Sequence, residues 1–166
     1  MERLWAPWRM EYIQEHLQDA CIFCAKPAQG RDEENHILYR GEHAYLMLNL
    51  YPYNNGHLMI APYRHLADLL ELRPEESAAI LYCTRIAVEA LRHALHPDGF
   101  NIGLNLGRVA GAGISDHLHA HIVPRWSGDC NFMPVLANTK VIPELLDRTF
   151  GRLRESLVAL NYLKGG

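Results

Sequence analysis

The chain has 166 residues, of which 49% are apolar and 21% charged, and its formal net charge is −3. These values are ordinary for a soluble globular domain, and the charge excludes the strongly basic surface that bulk nucleic-acid binding requires. The start, Met-Glu-Arg-Leu-Trp, lacks the apolar run of a secretory signal, and no stretch approaches about 18 apolar residues. We expect one cytoplasmic domain over residues 1–166, with no membrane partner and no disulfide framework among its four cysteines.

The N-terminal part of the chain divides into an arm and a cysteine pair. We expect an arm over residues 1–20 that contains a short helix, Met10–Leu17. Cys21 and Cys24 follow at a spacing that lets both thiolates reach one zinc ion. A thioredoxin-like redox pair would continue into a helix, whereas Lys26–Gly30 contains proline and glycine and predicts a loop.

Three apolar stretches bounded by turn residues predict strands. They are His36–Arg40, His43–Leu50 and His57–Pro62. The turns between them are short, and the second is the cluster Tyr51–Gly56. Short connections imply antiparallel pairing of all three strands.

Two longer periodic stretches predict the main helices. Pro74 with Glu75 and Glu76 is typical of a helix N-terminus, and the first helix runs to about His96. Its buried stripe comprises Ile80, Cys83, Ala87, Ala90, Leu91, Ala94 and Leu95. In the C-terminal segment 142–166, an amphipathic helix runs from Pro143 to about Leu163.

A strand and a glycine-rich loop lie between these helices. Alternation over Phe100–Gly107 places Asn101 and Asn105 on one face of a strand. The loop Val109–Asp116 lacks the glycine order of a dinucleotide fingerprint, but its small residues let backbone N–H groups approach an anion. Ser115, two residues before His117, should share the face of that histidine.

The loop leads into His-Leu-His-Ala-His-Ile-Val-Pro, residues 117–124. In a regular strand, residues two apart share a face, so His117, His119 and His121 would line one side about 6.6 Å apart. A purely structural strand would carry valine or threonine at such positions. Three interpretations are open: incidental surface histidines, a three-histidine zinc or copper site, and covalent catalysis by a histidine on phosphorus.

The segment His117–Val123 resembles the histidine-triad signature, His-φ-His-φ-His-φ-φ with φ apolar, at all seven positions. The pattern Asn49-x₅-Asn55-Gly-His57 is similar to the nucleotide-pocket segment of the same family. Trp-Ala-Pro-Trp-Arg before the cysteine pair, and Pro-Arg-Trp followed by Gly-Asp-x-Asn-Phe after the triad, look like its diadenosine tetraphosphate phosphorylase-like branch. The resemblance implies an α+β fold, with an antiparallel sheet of about five strands and two long helices, and a homodimer.

The resemblance also implies roles for individual residues. His119 would attack the α-phosphorus, and His121 would donate a proton or hydrogen bond to the departing oxygen. His57 would lie near the phosphates, the alternative being a buried core histidine; Asn49 would contact the ribose, the alternative being a strand-end cap. Further substrate contacts are expected from Asn105, Gly113, Ser115 and Trp126, although Trp126 equally suits a core or dimer aromatic. Many family members have a glutamine in this loop where Ala112, Gly113 and Ser115 stand here.

A structural zinc site is a separate expectation. Some family members, and the related galactose-1-phosphate uridylyltransferases, bind zinc through a similar pattern. In this chain the matching residues are Cys21, Cys24, His65 and His117. The alternative is two buried thiols without a metal.

The function implied is nucleotidyl transfer from a dinucleoside polyphosphate, with diadenosine tetraphosphate as the expected substrate. A neutral imidazole is nucleophilic near pH 7 and escapes the charge repulsion that protects phosphoric anhydrides. The nucleotidyl-histidine then passes its group to inorganic phosphate or to water. Two alternatives are open: a nucleoside phosphoramidate hydrolase, and a non-enzymatic zinc- or nucleotide-binding regulatory module.

Overall fold

The computed structural model describes residues 21–129 and 142–164. The predicted arm over 1–20, with its helix Met10–Leu17, lies outside the described residues, and so does 130–141. Among the described residues, no helix is long and apolar enough to cross a membrane.

Five strands form one antiparallel sheet in the order β1-β2-β3-β5-β4. The strands are β1 Ile37–Arg40, β2 Ala44–Leu48, β3 Leu58–Pro62, β4 Gly99–Leu104 and β5 Ala120–Arg125. The α-helices in the described ranges are α1 Ile22–Ala28, α2 Pro74–Leu95 and α3 Leu146–Ala159. The expected α+β architecture, with about five strands and two long helices, is confirmed.

Helix α2 has the boundaries that its sequence predicts. Pro74 occupies the first turn, and the Glu76 carboxylate accepts the Arg73 backbone N–H at 2.9 Å. The helix ends at His96, whose φ of 49° is left-handed. Most of its stripe, including Cys83, is buried against the sheet, while Ala94 and Leu95 are half-buried. Helix α3 is three or four residues shorter at each end than predicted.

The two faces of the sheet differ in what covers them. The main core packs one face against α2 and α3 and includes Leu46, Leu58, Ile60, Ala120 and Ile122. On the other face a smaller cluster lies under α1: Phe23, Ile37, Tyr45, Met47, Met59 and Ala61. His121 pairs with Met59 on β3 and with Gly103 on β4, so its side chain lies on this second face. The candidate site therefore lies opposite the long helices.

Helix α1 occupies part of the segment predicted as a loop, so the expectation for Lys26–Gly30 is wrong over residues 26–28. Pro27 lacks an N–H and cannot donate to the carbonyl of Phe23. The buried Tyr45 hydroxyl donates to that carbonyl instead, at 2.8 Å. A tertiary hydrogen bond thus replaces the helical one, and the chain stays helical through a residue that usually ends a helix.

The histidine segment enters the sheet later than predicted, since β5 begins at Ala120. Backbone groups before that residue bond outside the strand ladder. Leu118 N–H donates to Leu66 O at 2.6 Å, and the His117 carbonyl accepts from the His119 ring at 2.8 Å. Strand β4 likewise ends at Leu104, so Asn105 lies just beyond it.

Candidate active site and metal cluster

The three triad rings lie close together, but they do not form a regular row on a strand. The His119 and His121 ring centroids are 4.8 Å apart. The Phe23 ring packs 4.6 Å from His119 and 5.3 Å from His117. Phe23 is fully buried, so it closes the α1 end of this cluster of rings.

His119 is held in one tautomer by its own chain. Its Nδ1 lies 2.8 Å from the His117 carbonyl oxygen, and a carbonyl only accepts, so Nδ1 carries the proton. The Nε2 atom therefore keeps a free lone pair. Burial lowers the pKa of His119, which keeps the ring neutral near pH 7. This is the form in which an imidazole attacks phosphorus.

His121 belongs to a chain of hydrogen bonds that starts in the turn before β3. The Tyr53 N–H donates to His57 Nδ1 at 3.1 Å, so His57 Nε2 carries the proton. That Nε2–H donates to His121 Nδ1 at 2.9 Å. The remaining nitrogen of His121, Nε2, is therefore a donor. Tyr53 also packs its ring against both imidazoles.

The electrostatics of this pair favour neutral rings. Burial, followed by the neighbouring imidazoles, lowers the pKa of His57 to about 3. Burial and then His119 lower the pKa of His121 to about 4. His57 has no exposed surface and lies behind His121. Its ring N–H is thus directed at His121 and not at solvent.

Asn49 has the geometry of the strand-end cap that the sequence left open. Its Oδ1 accepts the Tyr51 N–H at 2.9 Å, and its Nδ2 lies 3.3 Å from His57 Nδ1. The side chain is buried at 8% exposure. Both polar ends of this amide therefore have partners within the chain.

Three other predicted substrate residues lie in the glycine-rich loop or shortly before it. Gly113 is exposed and Ser115 is half-buried. Asn105, also half-buried, continues the face of Gly103 and His121, and its amide makes no hydrogen bond within residues 21–129 and 142–164. Asn105 thus offers its amide on the face of the sheet that His121 occupies, and Ser115 offers a hydroxyl in the loop two residues before His117.

Trp126 lies apart from the histidines within the chain. It follows the end of β5, roughly 16 Å along an extended chain from His121. There it lines a cavity of about 420 Å³ whose other lining residues are Asn54, Asn55, Leu95, Ser127, Gly128, Asp129, Pro143 and Arg152. Its contact with substrate stays a prediction.

The four residues predicted as metal ligands converge. The ligand atoms of Cys21, Cys24, His65 and His117 all lie within 4.8 Å of one another. The sulfur-to-Nδ1 distances are 3.2 Å and 3.5 Å to His117, and 3.4 Å to His65. A tetrahedral ion with zinc-like bond lengths separates sulfur and nitrogen ligands by roughly 3.5 Å, so the cluster fits a metal ion.

The tautomer of His117 also supports a cation in this cluster. His117 Nε2 donates to the Pro62 carbonyl at 3.0 Å, which leaves Nδ1 as the free lone pair facing the sulfurs. Burial and then the adjacent Cys21 raise the pKa of the Cys24 thiol to about 11, so without a cation this thiol is protonated near pH 7.

Several structural partners of the site carried no signal in the sequence. Phe23 stands between Cys21 and Cys24 in the sequence, where only the cysteines form a motif. The Tyr53 N–H and the Pro62 carbonyl are backbone groups, which no side-chain pattern reports. Arg64, next to His65, forms a bidentate pair with the buried Glu76 at 2.8 Å and 2.6 Å. Only the adjacency of Arg64 to a predicted ligand could have indicated that last contact.

The sheet, the histidine-lined face and the glycine-rich loop define a HIT domain: residues 31–128 match that family, and the chain belongs to it. Over 157 residues the chain is 44% identical to AP-4-A phosphorylase from Mycobacterium tuberculosis strain H37Rv, covering 90% of this chain and 80% of that protein. The fold is similar to that of a Zn-bound histidine triad family protein from Mycobacterium smegmatis, with a TM-score of 0.69 and 28% identity over 86% of this chain and 96% of that one. A histidine triad nucleotide-binding protein from Sulfolobus tokodaii gives a TM-score of 0.69 and 26% identity over 85% and 94% of the two chains. The family resemblance read from the sequence is confirmed.

Proposed function

We propose that this protein cleaves dinucleoside polyphosphates, with diadenosine tetraphosphate as its substrate, through a nucleotidyl-histidine at His119. The observation that carries the proposal is the hydrogen bond from His119 Nδ1 to the His117 carbonyl, which aims a neutral lone pair away from the protein backbone. The identity of 44% with a protein named AP-4-A phosphorylase supports the choice of substrate.

In the first step, His119 Nε2 attacks the α-phosphorus and a P–N bond forms. The bond from this phosphorus to the bridging oxygen breaks, and the departing polyphosphate takes the electron pair. His121 Nε2–H donates to that oxygen, while His57 holds the His121 ring from behind. The side chains of Asn105 and Ser115, with loop N–H groups around Gly113, stabilise the charge on the phosphoryl oxygens.

In the second step, an oxygen of the acceptor attacks the same phosphorus. The P–N electron pair returns to Nε2, and His119 recovers the neutral tautomer that its Nδ1 hydrogen bond favours. Phosphate as acceptor gives a nucleoside diphosphate, and water gives a nucleoside monophosphate. We favour phosphate, because the relative with 44% identity is named a phosphorylase.

We further propose zinc as the ion of the four-residue metal cluster. Two cysteines and two histidines form the donor set of closed structural zinc sites, and the similar structure from M. smegmatis is zinc-bound. A bound ion would fix His117, and with it the carbonyl that orients His119. The roles of Asn49 at the ribose and of Trp126 in the substrate site remain predictions.

A homodimer is the assembly that we propose. Strand β4 pairs only with β5 in the part of the chain that the structure describes, which leaves one backbone edge open. Exposed apolar side chains flank that edge: Ile102 at 50%, Leu104 at 38% and Leu106 at 45%. The cytoplasmic location stays a prediction from the sequence.

Product analysis tests the activity. Incubation with diadenosine tetraphosphate and phosphate should yield ATP plus ADP. Without phosphate, no ADP should form, and the ATP released should not exceed one equivalent per chain. AMP plus ATP in plain buffer would instead establish hydrolysis. Tight binding without any product over hours would favour the regulatory module, and turnover restricted to adenosine phosphoramidates would favour the second alternative.

The nucleophile is tested by trapping the intermediate. Substrate labelled at the α-phosphate should transfer label to the denatured wild-type protein, but not to His119→Ala. His93→Ala changes an exposed histidine on α2 and serves as the control that keeps full labelling. Full turnover by His119→Ala would overturn the assignment.

A further inference from the structure

Arg108 begins a short 3-10 turn, Arg108–Ala110, in the loop that leads to the triad. Gly107 and Gly111 flank the turn with left-handed φ angles of 78° and 93°, which fold the loop back on itself. The Arg108 Nε–H donates to the Ser115 hydroxyl at 3.5 Å. The loop therefore brings an exposed guanidinium beside a residue already expected to contact phosphate.

Arg108 differs from the other arginines at or near the strand ends in its lack of an acidic partner within residues 21–129 and 142–164. Three other arginines of the strands and their ends are neutralised by carboxylates: Arg40 by Asp32, Arg64 by Glu76 and Arg125 by Asp129. Arg108 has no carboxylate within 4.0 Å among the described residues. In those ranges it is therefore a cation without an acidic partner, and its side chain lies beside Ser115.

Lys26 is the competing cation, since it lies on α1, the helix that contacts His119 through Phe23. It is half-buried, and its backbone carbonyl accepts from Asn35, next to β1. Arg108 instead follows β4, the direct neighbour of β5, and it contacts Ser115.

Transfer to phosphate has an electrostatic requirement that transfer to water lacks. Near pH 7 the acceptor is largely a dianion, and it must approach a phosphorus whose own oxygens carry negative charge. A fixed guanidinium favours the approach of this anion and not that of neutral water. The partition between the two acceptors should therefore depend on one correctly placed arginine.

We propose that Arg108, together with the Ser115 hydroxyl, binds the inorganic phosphate that accepts the nucleotidyl group. This rests on the proposed function, since it assigns the second step of that reaction. A phosphate oxygen forms the new bond to the α-phosphorus, and the P–N electron pair returns to His119 Nε2. The proton of the hydrogen phosphate stays on the terminal phosphate of the diphosphate product.

The test measures acceptor use separately from formation of the intermediate. Arg108→Gln should raise the KM for phosphate about ten- to hundredfold, the effect of losing a hydrogen bond to a charged group. The ratio of AMP to ADP should rise at a fixed phosphate concentration. The rate of label transfer to His119 in the absence of phosphate should stay within twofold of wild type. Arg108→Lys, which keeps the charge, should recover part of the loss.

Two control variants separate this site from a general effect of charge. Arg148→Gln removes an exposed arginine on α3, and Lys26→Gln removes the competing cation; neither should change the KM for phosphate. An unchanged KM in Arg108→Gln, or an equal loss in label transfer, would overturn the proposal. A wild-type protein that forms labelled intermediate but never ADP would instead refute phosphorolysis itself, which distinguishes the two failures.

Discussion

Two clusters share the triad, His117 in one and His121 in the other, and they use imidazole in opposite ways. In the metal cluster, lone pairs from Cys21, Cys24, His65 and His117 converge on one point, an arrangement that suits a cation. In the pair His57–His121, each nitrogen that accepts faces a nitrogen that donates, and no ion is needed. The role of each histidine thus depends on the partner of its second nitrogen, which the triad spacing does not encode.

The largest expected effect breaks the metal cluster. The double substitution Cys21→Ser with Cys24→Ser should lower bound zinc from about one equivalent to below about a tenth. The label transfer to His119 should fall with it, because the His117 carbonyl loses its anchor. Metal analysis and a thermal melt of the purified protein measure both consequences.

Cys83→Ala is the matched control for that variant. Cys83 is 1% exposed in the main core, so its loss should lower the melting temperature while zinc stays bound. A double-serine variant that keeps its metal would show that the four residues are not the ligands.

The second prediction breaks the imidazole pair. His57→Leu removes the donor to His121 Nδ1, so His121 can adopt either tautomer, and we expect kcat to fall about tenfold to a hundredfold. His57→Gln keeps an N–H at nearly the same place and should recover most of the rate. Nitrogen-15 spectra of the His121 ring provide the readout that a merely structural change would not alter. Equal activity in wild type and His57→Leu would contradict the positioning role.

The third prediction concerns pH. The folded pKa of His57, about 3, lies below its unfolded value of 6.5, so the unfolded chain binds a proton that the native protein excludes. Stability is therefore full above about pH 6.5 and falls as the pH drops towards the folded value. At pH 5 this histidine should lower the free energy of unfolding by about 2 kcal/mol relative to neutral pH.

Urea unfolding at pH 7.5 and pH 5, in wild type and His57→Leu, isolates this contribution. The metal ligands also titrate in acid, but they do so in both proteins. Their contribution to the free energy of unfolding therefore cancels when the two proteins are compared. If the two proteins lose the same free energy of unfolding on acidification, the buried His57 is not the cause.

The extent to which the sequence predicted this molecule follows from what its patterns encode. Alternation and helical periodicity report which face is buried, so β2, β3 and α2 lie close to their predicted places. The metal cluster was predictable in its residue types, and those four side chains do converge. The late start of β5 was not, because it depends on Leu118 bonding to Leu66, a contact between segments far apart in the chain.

The misplaced loop at Lys26–Gly30 has the same origin. Pro27 signals a break in any local analysis, and only Tyr45, eighteen residues further on, supplies the donor that makes the helix tolerable. Tyr53 and Trp126 show the converse. The turn residue Tyr53 proved to orient His57 through its backbone, while the conspicuous Trp126 lies at a separate cavity.

The smallest effect tests that explanation of α1. Tyr45→Phe leaves the Phe23 carbonyl buried without its donor and should lower the free energy of unfolding by about 1 to 2 kcal/mol. Burial raises the pKa of Tyr45, so the phenol remains a donor over the whole pH range of the measurement. Tyr82→Phe, at a position that is 48% exposed, should leave the stability unchanged.

The metal should stay bound in Tyr45→Phe, because Cys21 and Cys24 also contact the two histidines of the metal cluster. We therefore expect this variant to lose only stability. A neutral Tyr45→Phe would mean that the metal cluster and the packing of Phe23, rather than this hydrogen bond, hold a proline-containing helix against the sheet.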